Sequence, residues 1–154
     1  MKYYVIAGEP SGDLHGSKLL RGIRLEDPEA QFRFSGGDRM ADVAGRDAML
    51  YHYTEMSFFG FVQVLKNLRT IFGQIDRVKE AIADFKPDVV ILIDYPSFNM
   101  RIAKWCKVQG VKVFYYIAPK VWAWKEFRVK GIRKYVDRLF TIFPFETAYF
   151  RSKG

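Results

Sequence analysis

Asp94 closes an unbroken apolar run, Val89-Val90-Ile91-Leu92-Ile93, and Pro96 fixes the loop beyond it. A carboxylate placed there is partly withdrawn from water, which raises its pKa towards that of a useful general base. Asn99 can donate to or accept from a polar substrate. The alternative is that Asp94 only caps the helix that follows Pro96. A second group of residues is Ala7-Gly8-Glu9-Pro10-Ser11-Gly12-Asp13-Leu14-His15-Gly16, between the apolar Tyr3-Tyr4-Val5-Ile6 and a helical pattern. Strand, glycine-rich loop and helix is the arrangement in which α/β proteins build ligand sites. Gly8 and Gly12 let backbone approach a ligand, and Ser11 or Asp13 can cap the helix. The glycines stand four and four apart, which is neither a dinucleotide fingerprint nor a P-loop. Glu9 and Asp13 add negative charge where a pyrophosphate wants none. The loop therefore suits hydroxyls, as in a sugar, better than a nucleotide phosphate; a capped turn without a ligand is the alternative.

Lys120, Trp122, Trp124 and Lys125 follow a later strand pattern. Tryptophan faces stack on sugar rings or cations and lysines bind phosphate, unless both rings pack in the core. Phe58, Phe59, Phe61 and Val62 are nearly consecutive and cannot all face one core. Placed in lipid, two or three of them would gain roughly 1.5–3 kcal/mol each, enough for reversible attachment. A well-packed helix entry is the alternative. Cys106, the single cysteine, lies among Ile102, Ala103 and Trp105 and reads as a buried thiol rather than a nucleophile. His15 and His52 show no zinc-ligand spacing, so no metal site is expected.

The elements that must hold these residues alternate. Strands are expected at Lys2–Ala7, Gln31–Ser35, Ala48–Tyr51, Asp88–Asp94, Val111–Ile117 and Arg138–Phe143. Helices are expected at Asp13–Leu25, Asp38–Ala44, Phe61–Phe85, Ser97–Gln109, Glu126–Tyr135 and onward from Pro144. That order predicts an α/β fold with a doubly wound parallel sheet in one domain. In such sheets ligands bind beyond the carboxyl ends of the strands. The loops at Gly8–Asp13, Gly36–Gly37, Asp94–Asn99 and Ala118–Trp124 all belong there.

Of 154 residues, 25 are Lys or Arg and 17 are Asp or Glu, a net charge of +8. Residues 101–138 hold eleven of the bases against two acids, Glu126 and Asp137, so all the excess lies in the last third. Such an excess suits phosphate groups, nucleic acid or an anionic membrane surface, or else is a solvated helix face. No nucleic-acid reader motif accompanies it, and nucleic acid is not expected as a partner. The longest stretch free of charge, Met56 to Leu65, is too short to span a bilayer. No signal peptide is expected, because the apolar stretch after Lys2 is too short.

Five segments in order resemble the lipid-A-disaccharide synthase family. They are Gly8-Glu9-Pro10-Ser11-Gly12-Asp13, Gly36-Gly37-Asp38-Arg39-Met40, Met56-Ser57-Phe58-Phe59-Gly60-Phe61, Asp94-Tyr95-Pro96-Ser97-Phe98-Asn99, and Tyr116-Ile117-Ala118-Pro119-Lys120-Val121-Trp122-Ala123-Trp124. The resemblance implies an inverting glycosyltransferase of the GT-B type, with two Rossmann-like domains facing a cleft. It would join UDP-2,3-diacylglucosamine to 2,3-diacylglucosamine 1-phosphate in a β-1′,6 linkage and release UDP. No metal or other cofactor is implied. Asp94 becomes the expected base for the acceptor's 6-hydroxyl. Gly8, Glu9, Ser11, Gly12, Asp13, Gly37, Asn99, Pro119 and Trp122 become the expected substrate-binding residues. Phe58, Phe59, Phe61, Val62 and Leu65 become the expected membrane contacts, on the cytoplasmic face of the inner membrane. Ser97 stands where many relatives carry an acid. The chain would correspond to the amino-terminal domain, with the UDP-holding second domain absent, so it is expected to fold but not to turn over alone. A homodimer through that other half stays open. A non-catalytic α/β domain that binds membrane or glycolipid is the competing function; a UDP-sugar epimerase shares the fold type but not the loops after Asp94 and Ala118.

Overall fold

The computed structural model describes residues 1–56, 68–118 and 127–153. In chain order, the elements are β1 (Lys2–Ala7), α1 (Pro10–Glu26), β2 (Gln31–Gly36), α2 (Asp38–Ala44), a 3-10 turn (Arg46–Ala48), β3 (Met49–His52), α3 (Tyr53–Met56), α4 (Leu68–Phe85), β4 (Val89–Ile93), α5 (Pro96–Val108), β5 (Lys112–Tyr116), α6 (Phe127–Tyr135), β6 (Arg138–Phe140) and α7 (Pro144–Ser152). The strands form one six-stranded sheet in the order β3-β2-β1-β4-β5-β6. Every pair in it is parallel, with Val5 beside Ile91 and Ile91 beside Phe114 in the central registers. This is the doubly wound sheet that the alternation predicts.

The unbroken apolar run of β4 follows from its place. All five of its residues are buried, because helices cover both faces of a central parallel strand. Tyr4, Ile6, Val90 and Leu92 point to one face and pack with Ile75, Val78 and Ile82 of α4 and Phe98, Ile102 and Cys106 of α5. Val5, Ala7, Ile91 and Ile93 point to the other face and pack with Leu20 of α1 and Met40 and Ala41 of α2. Cys106 is fully buried, and that burial pushes its thiol up to about 12.

Several boundaries differ from the pattern reading. Helix α1 begins at Pro10 rather than Asp13, with Pro in the first helical turn, where its missing N–H costs nothing. Its cap residue is Glu9, whose side chain makes no cap hydrogen bond, so neither Ser11 nor Asp13 caps it. Strand β3 starts one residue later than expected, because the 3-10 turn uses Ala48. Strand β6 stops at Phe140, three residues short of the expected end. Beyond it, Glu146 turns back to accept from the Ile142 and Phe143 amides at 3.2 Å each and starts α7 instead. Helix α3 was not legible from the sequence pattern. In α4, Gln74, Ile75, Val78 and Ile82 are buried, while the apolar Leu68 and Phe72 near its start are exposed; residues 61–67 of the expected helix lie outside the described residues.

Candidate active site at the carboxyl ends of β1 and β4

The strand order reverses between β1 and β4. From these strands the chain leaves to opposite faces, which opens a crevice at their carboxyl ends. Gly8 and Asp94 are the first residues beyond the two strands. Gly8 has no room for a side chain: a Cβ there would lie 2.3 Å from the nearest atom of the Tyr95 ring. The Tyr95 ring stacks on Phe98 at 5.5 Å, and its hydroxyl donates to the carbonyl of Met56 at 2.7 Å. Burial raises the Tyr95 hydroxyl above its usual pKa. One side chain thus ties the loop after β4 to the loop after β1 and to the end of α3.

The backbone here is strained. Asp94 (φ 44°) and Tyr95 (φ 45°) are consecutive non-glycine residues in the left-handed region, and Ile117 (φ 66°), one residue past β5, is a third. Each costs on the order of 1–3 kcal/mol, and such strain gathers where surrounding structure holds a site in one geometry. The Asp94 carbonyl accepts from Asn99 Nδ2 at 2.8 Å and from the Tyr115 hydroxyl. Asp94 is half-buried, so its position suits a base that must meet both protein and substrate.

Asp13 is placed differently. It is 3% exposed, and its carboxylate accepts from the amides of Gly37 (2.8 Å), Met40 (3.0 Å) and Arg39 (3.1 Å). It therefore caps α2, an element 24 or more residues away, by satisfying amides that the helix leaves unpaired. Gly37 has to be glycine for this contact: a Cβ there would lie 2.7 Å from the Asp13 carboxylate carbon and against the Tyr53 ring. Gly12 is also buried, against Ala7. Asn99 is 0% exposed and turned to the Asp94 loop. Glu9 is half-buried and accepts from the exposed Ser11 hydroxyl. The structure thus brings Gly8, Glu9, Ser11, Gly12, Asp13, Gly37, Asp94 and Asn99 to one end of the sheet. Of these, Ser11 is exposed and Glu9 and Asp94 are half-buried. Pro119 and Trp122, and the membrane contacts Phe58, Phe59, Phe61, Val62 and Leu65, lie outside the described residues.

Between α4 and the start of α5 is a cleft of about 270 Å³ walled by Leu68, Ile71, Phe72, Tyr95, Ser97 and Phe98. Arg101 stands on it with its guanidinium 5.1 Å from the centre of the Phe72 ring. The sequence reading missed a second polar group, at the end of β3. There His52 Nδ1 meets the Thr54 hydroxyl at 2.7 Å, while Asp38 lies 2.9 Å from Arg46 and 3.9 Å from His52 Nε2. The only signal was the His52-Tyr53-Thr54 neighbourhood, because the Asp38 contact depends on β2 pairing with β3. Among the described residues no cluster of His, Cys, Asp and Glu could hold a metal ion, and no helix is long and apolar enough to cross a membrane.

The chain is a Rossmann-like α/β unit, the architecture from which GT-B enzymes build each half. Its fold is similar to UDP-GlcNAc 2-epimerase from Neisseria meningitidis bound to UDP-GlcNAc (TM-score 0.64, 13% identity, 99% of this chain and 43% of that one). It is also similar to a putative UDP-N-acetylglucosamine 2-epimerase from Listeria monocytogenes (TM-score 0.67, 12% identity, 99% and 41%). At that identity the likeness is one of fold. The family model for lipid-A-disaccharide synthetase matches residues 3–154, and the chain belongs to that family. Relatives named lipid-A-disaccharide synthase include those of Geobacter metallireducens (44% identical, covering 97% of this chain and 38% of that protein) and Trichlorobacter lovleyi (41%, 97% and 39%). The chain thus spans under two fifths of the length of these relatives.

Proposed function

We propose that this chain is the amino-terminal, acceptor-side domain of a lipid A glycosyltransferase. The reaction would join UDP-2,3-diacylglucosamine to 2,3-diacylglucosamine 1-phosphate. Asp94 takes the proton from the acceptor's 6-hydroxyl. The oxygen attacks the donor's anomeric carbon from the side opposite UDP, the bond from that carbon to the UDP oxygen breaks, and UDP leaves with the electron pair. The product is the β-1′,6-linked disaccharide. No metal enters this scheme. The observation that carries the reading is the place of Asp94: half-buried at the strand-order reversal, next in the chain to Tyr95, which lines an apolar cleft that bears a cation, in a chain matched to the family along almost its whole length.

Glu9 and Ser11 face the same crevice and would contact sugar hydroxyls, with Pro119 and Trp122 joining from the loop after β5. Gly8, Gly12, Gly37, Asp13 and Asn99 would shape the pocket from beneath. Phe58, Phe59, Phe61, Val62 and Leu65 would enter the cytoplasmic face of the inner membrane as a peripheral anchor. The exposed Leu68 and Phe72, which continue the same apolar stripe, support this. The UDP group would be held mainly by a second domain outside this chain, through which the enzyme could also pair as a homodimer.

The test is a disaccharide synthase assay with both lipid substrates. It uses this chain alone, then this chain mixed with a separately made carboxy-terminal half from a relative, each with and without Asp94→Ala. Product only in the mixture, lost with Asp94→Ala, is the expected result. Turnover by this chain alone at an enzymatic rate would contradict the half-enzyme reading.

A further inference from the structure

The Asp94 backbone is held from three sides. Its N–H donates to the Tyr116 carbonyl at 3.4 Å, and its carbonyl accepts from Asn99 Nδ2 at 2.8 Å and from the Tyr115 hydroxyl. Asn99 Nδ2 also lies 3.3 Å from the Ile93 carbonyl, so the same amide grips the last residue of β4. The donors come from different elements, Tyr115 from β5 and Asn99 from α5. They triangulate the loop against the sheet and against the helix that it starts. Both are 0% exposed, so neither can touch a substrate in the crevice.

Asp94 and Tyr95 adopt left-handed backbone without the freedom of glycine. A loop released there would relax to ordinary φ values. That rotation would swing the Asp94 carbonyl off its two donors and turn its Cα–Cβ bond, and hence its carboxylate, to a new direction. The hydrogen bonds that satisfy the carbonyl therefore also aim the side chain. We propose that Tyr115 and Asn99 are positioning residues that hold Asp94 in its left-handed conformation and point its carboxylate at the proton it removes. This rests on the reading of Asp94 as the base.

Tyr115→Phe keeps the ring in the core and deletes only the hydroxyl. Asn99→Asp keeps the shape and sets oxygen against two carbonyls. The first readout needs no activity: residual dipolar couplings of residues 93–97 in the isotope-labelled chain. The second is kcat and KM of the chain complemented with the carboxy-terminal half, in wild-type and Asp94→Ala backgrounds. The expected result for Tyr115→Phe is that the couplings at Asp94 and Tyr95 collapse to averaged values. Its kcat should fall about 10- to 100-fold at unchanged KM, the scale of a reacting group displaced by a fraction of an ångström to one. In the Asp94→Ala background, adding Tyr115→Phe should change nothing. Asn99→Asp should act in the same direction and at least as strongly. Wild-type couplings in both variants would overturn the proposal, as would a rate loss that persists undiminished without Asp94. A wild-type rate for Asp94→Ala itself would instead remove the base, and the clamp's role with it; the couplings tell the two failures apart.

Discussion

Asp13 and Asp94 are both aspartates and both sit at the carboxyl end of the sheet, Asp13 in the first turn of α1 and Asp94 in the loop after β4. Their surroundings give them opposite work. The Asp13 carboxylate is buried and filled by three backbone amides, so its side chain is part of the fold and its reach ends at α2. At Asp94 the backbone carbonyl is held by Tyr115 and Asn99, and the residue is half-buried just past the end of β4. Residue type and end of the sheet are shared; the described contacts differ, falling on the carboxylate at Asp13 and on the backbone carbonyl at Asp94. Asp13 is pinned through its carboxylate and Asp94 through its carbonyl.

That contrast can be broken from either side. The largest effect is expected from Asp94→Ala: a loss of about 10²–10⁴ in kcat of the complemented enzyme, the usual contribution of a general base, with a smaller drop in melting temperature than Asp13→Ala causes. Asp13→Ala should do the reverse. It strands three amides in a buried place and should cost about 2–4 kcal/mol in chemical denaturation. If it melted like the wild type, the division of labour would fail. Gly8→Ala pushes a methyl into the Tyr95 ring and should cost about 1–3 kcal/mol, as overpacking does. Adding Tyr95→Ala should restore part of that loss, and no restoration would mean that the contact is unimportant.

The smallest effect concerns a third carboxylate, far from the crevice. Asp137 accepts from Lys107 at 2.8 Å and from the Val113 amide at 2.8 Å, and the Lys107 hydrogen bond is the main cause of its lowered pKa. Unfolded, an aspartate titrates near about pH 3.9. The pair's contribution is therefore present above that pH and is lost as pH falls through the lower folded value. Stability measured below about pH 4 should fall less steeply in Lys107→Met than in wild type; equal slopes would show that the pair does not matter.

Much of the fold was legible because its signals are local. The apolar run of β4, the alternation of elements, Pro87 after α4 and Gly45 after α2 all act within a few residues. The family was legible because five motif segments stand in order along the chain. The position of Asp94 was legible too, from a buried strand that ends in a carboxylate before Pro96. What stayed hidden depends on contacts distant in sequence. Asp13 invites reading as a cap for its own helix, yet it caps α2, because β2 lies beside β1 and returns Gly37 to it. Tyr115 looks like one more apolar strand residue in Val113-Phe114-Tyr115-Tyr116. Only the pairing of β4 with β5 brings its hydroxyl to Asp94. Asn99 looks free to meet substrate, and burial of its helix face against the sheet turns it to the loop instead.

The most direct test measures rate and melting temperature on the same samples of two variants, Asp94→Ala and Asp13→Ala, each complemented with the carboxy-terminal half. Asp94→Ala is expected to lose disaccharide synthesis while melting closer to wild type than Asp13→Ala does. Asp13→Ala is expected to melt far earlier. An Asp94→Ala enzyme that turns over at the wild-type rate would contradict the central claim.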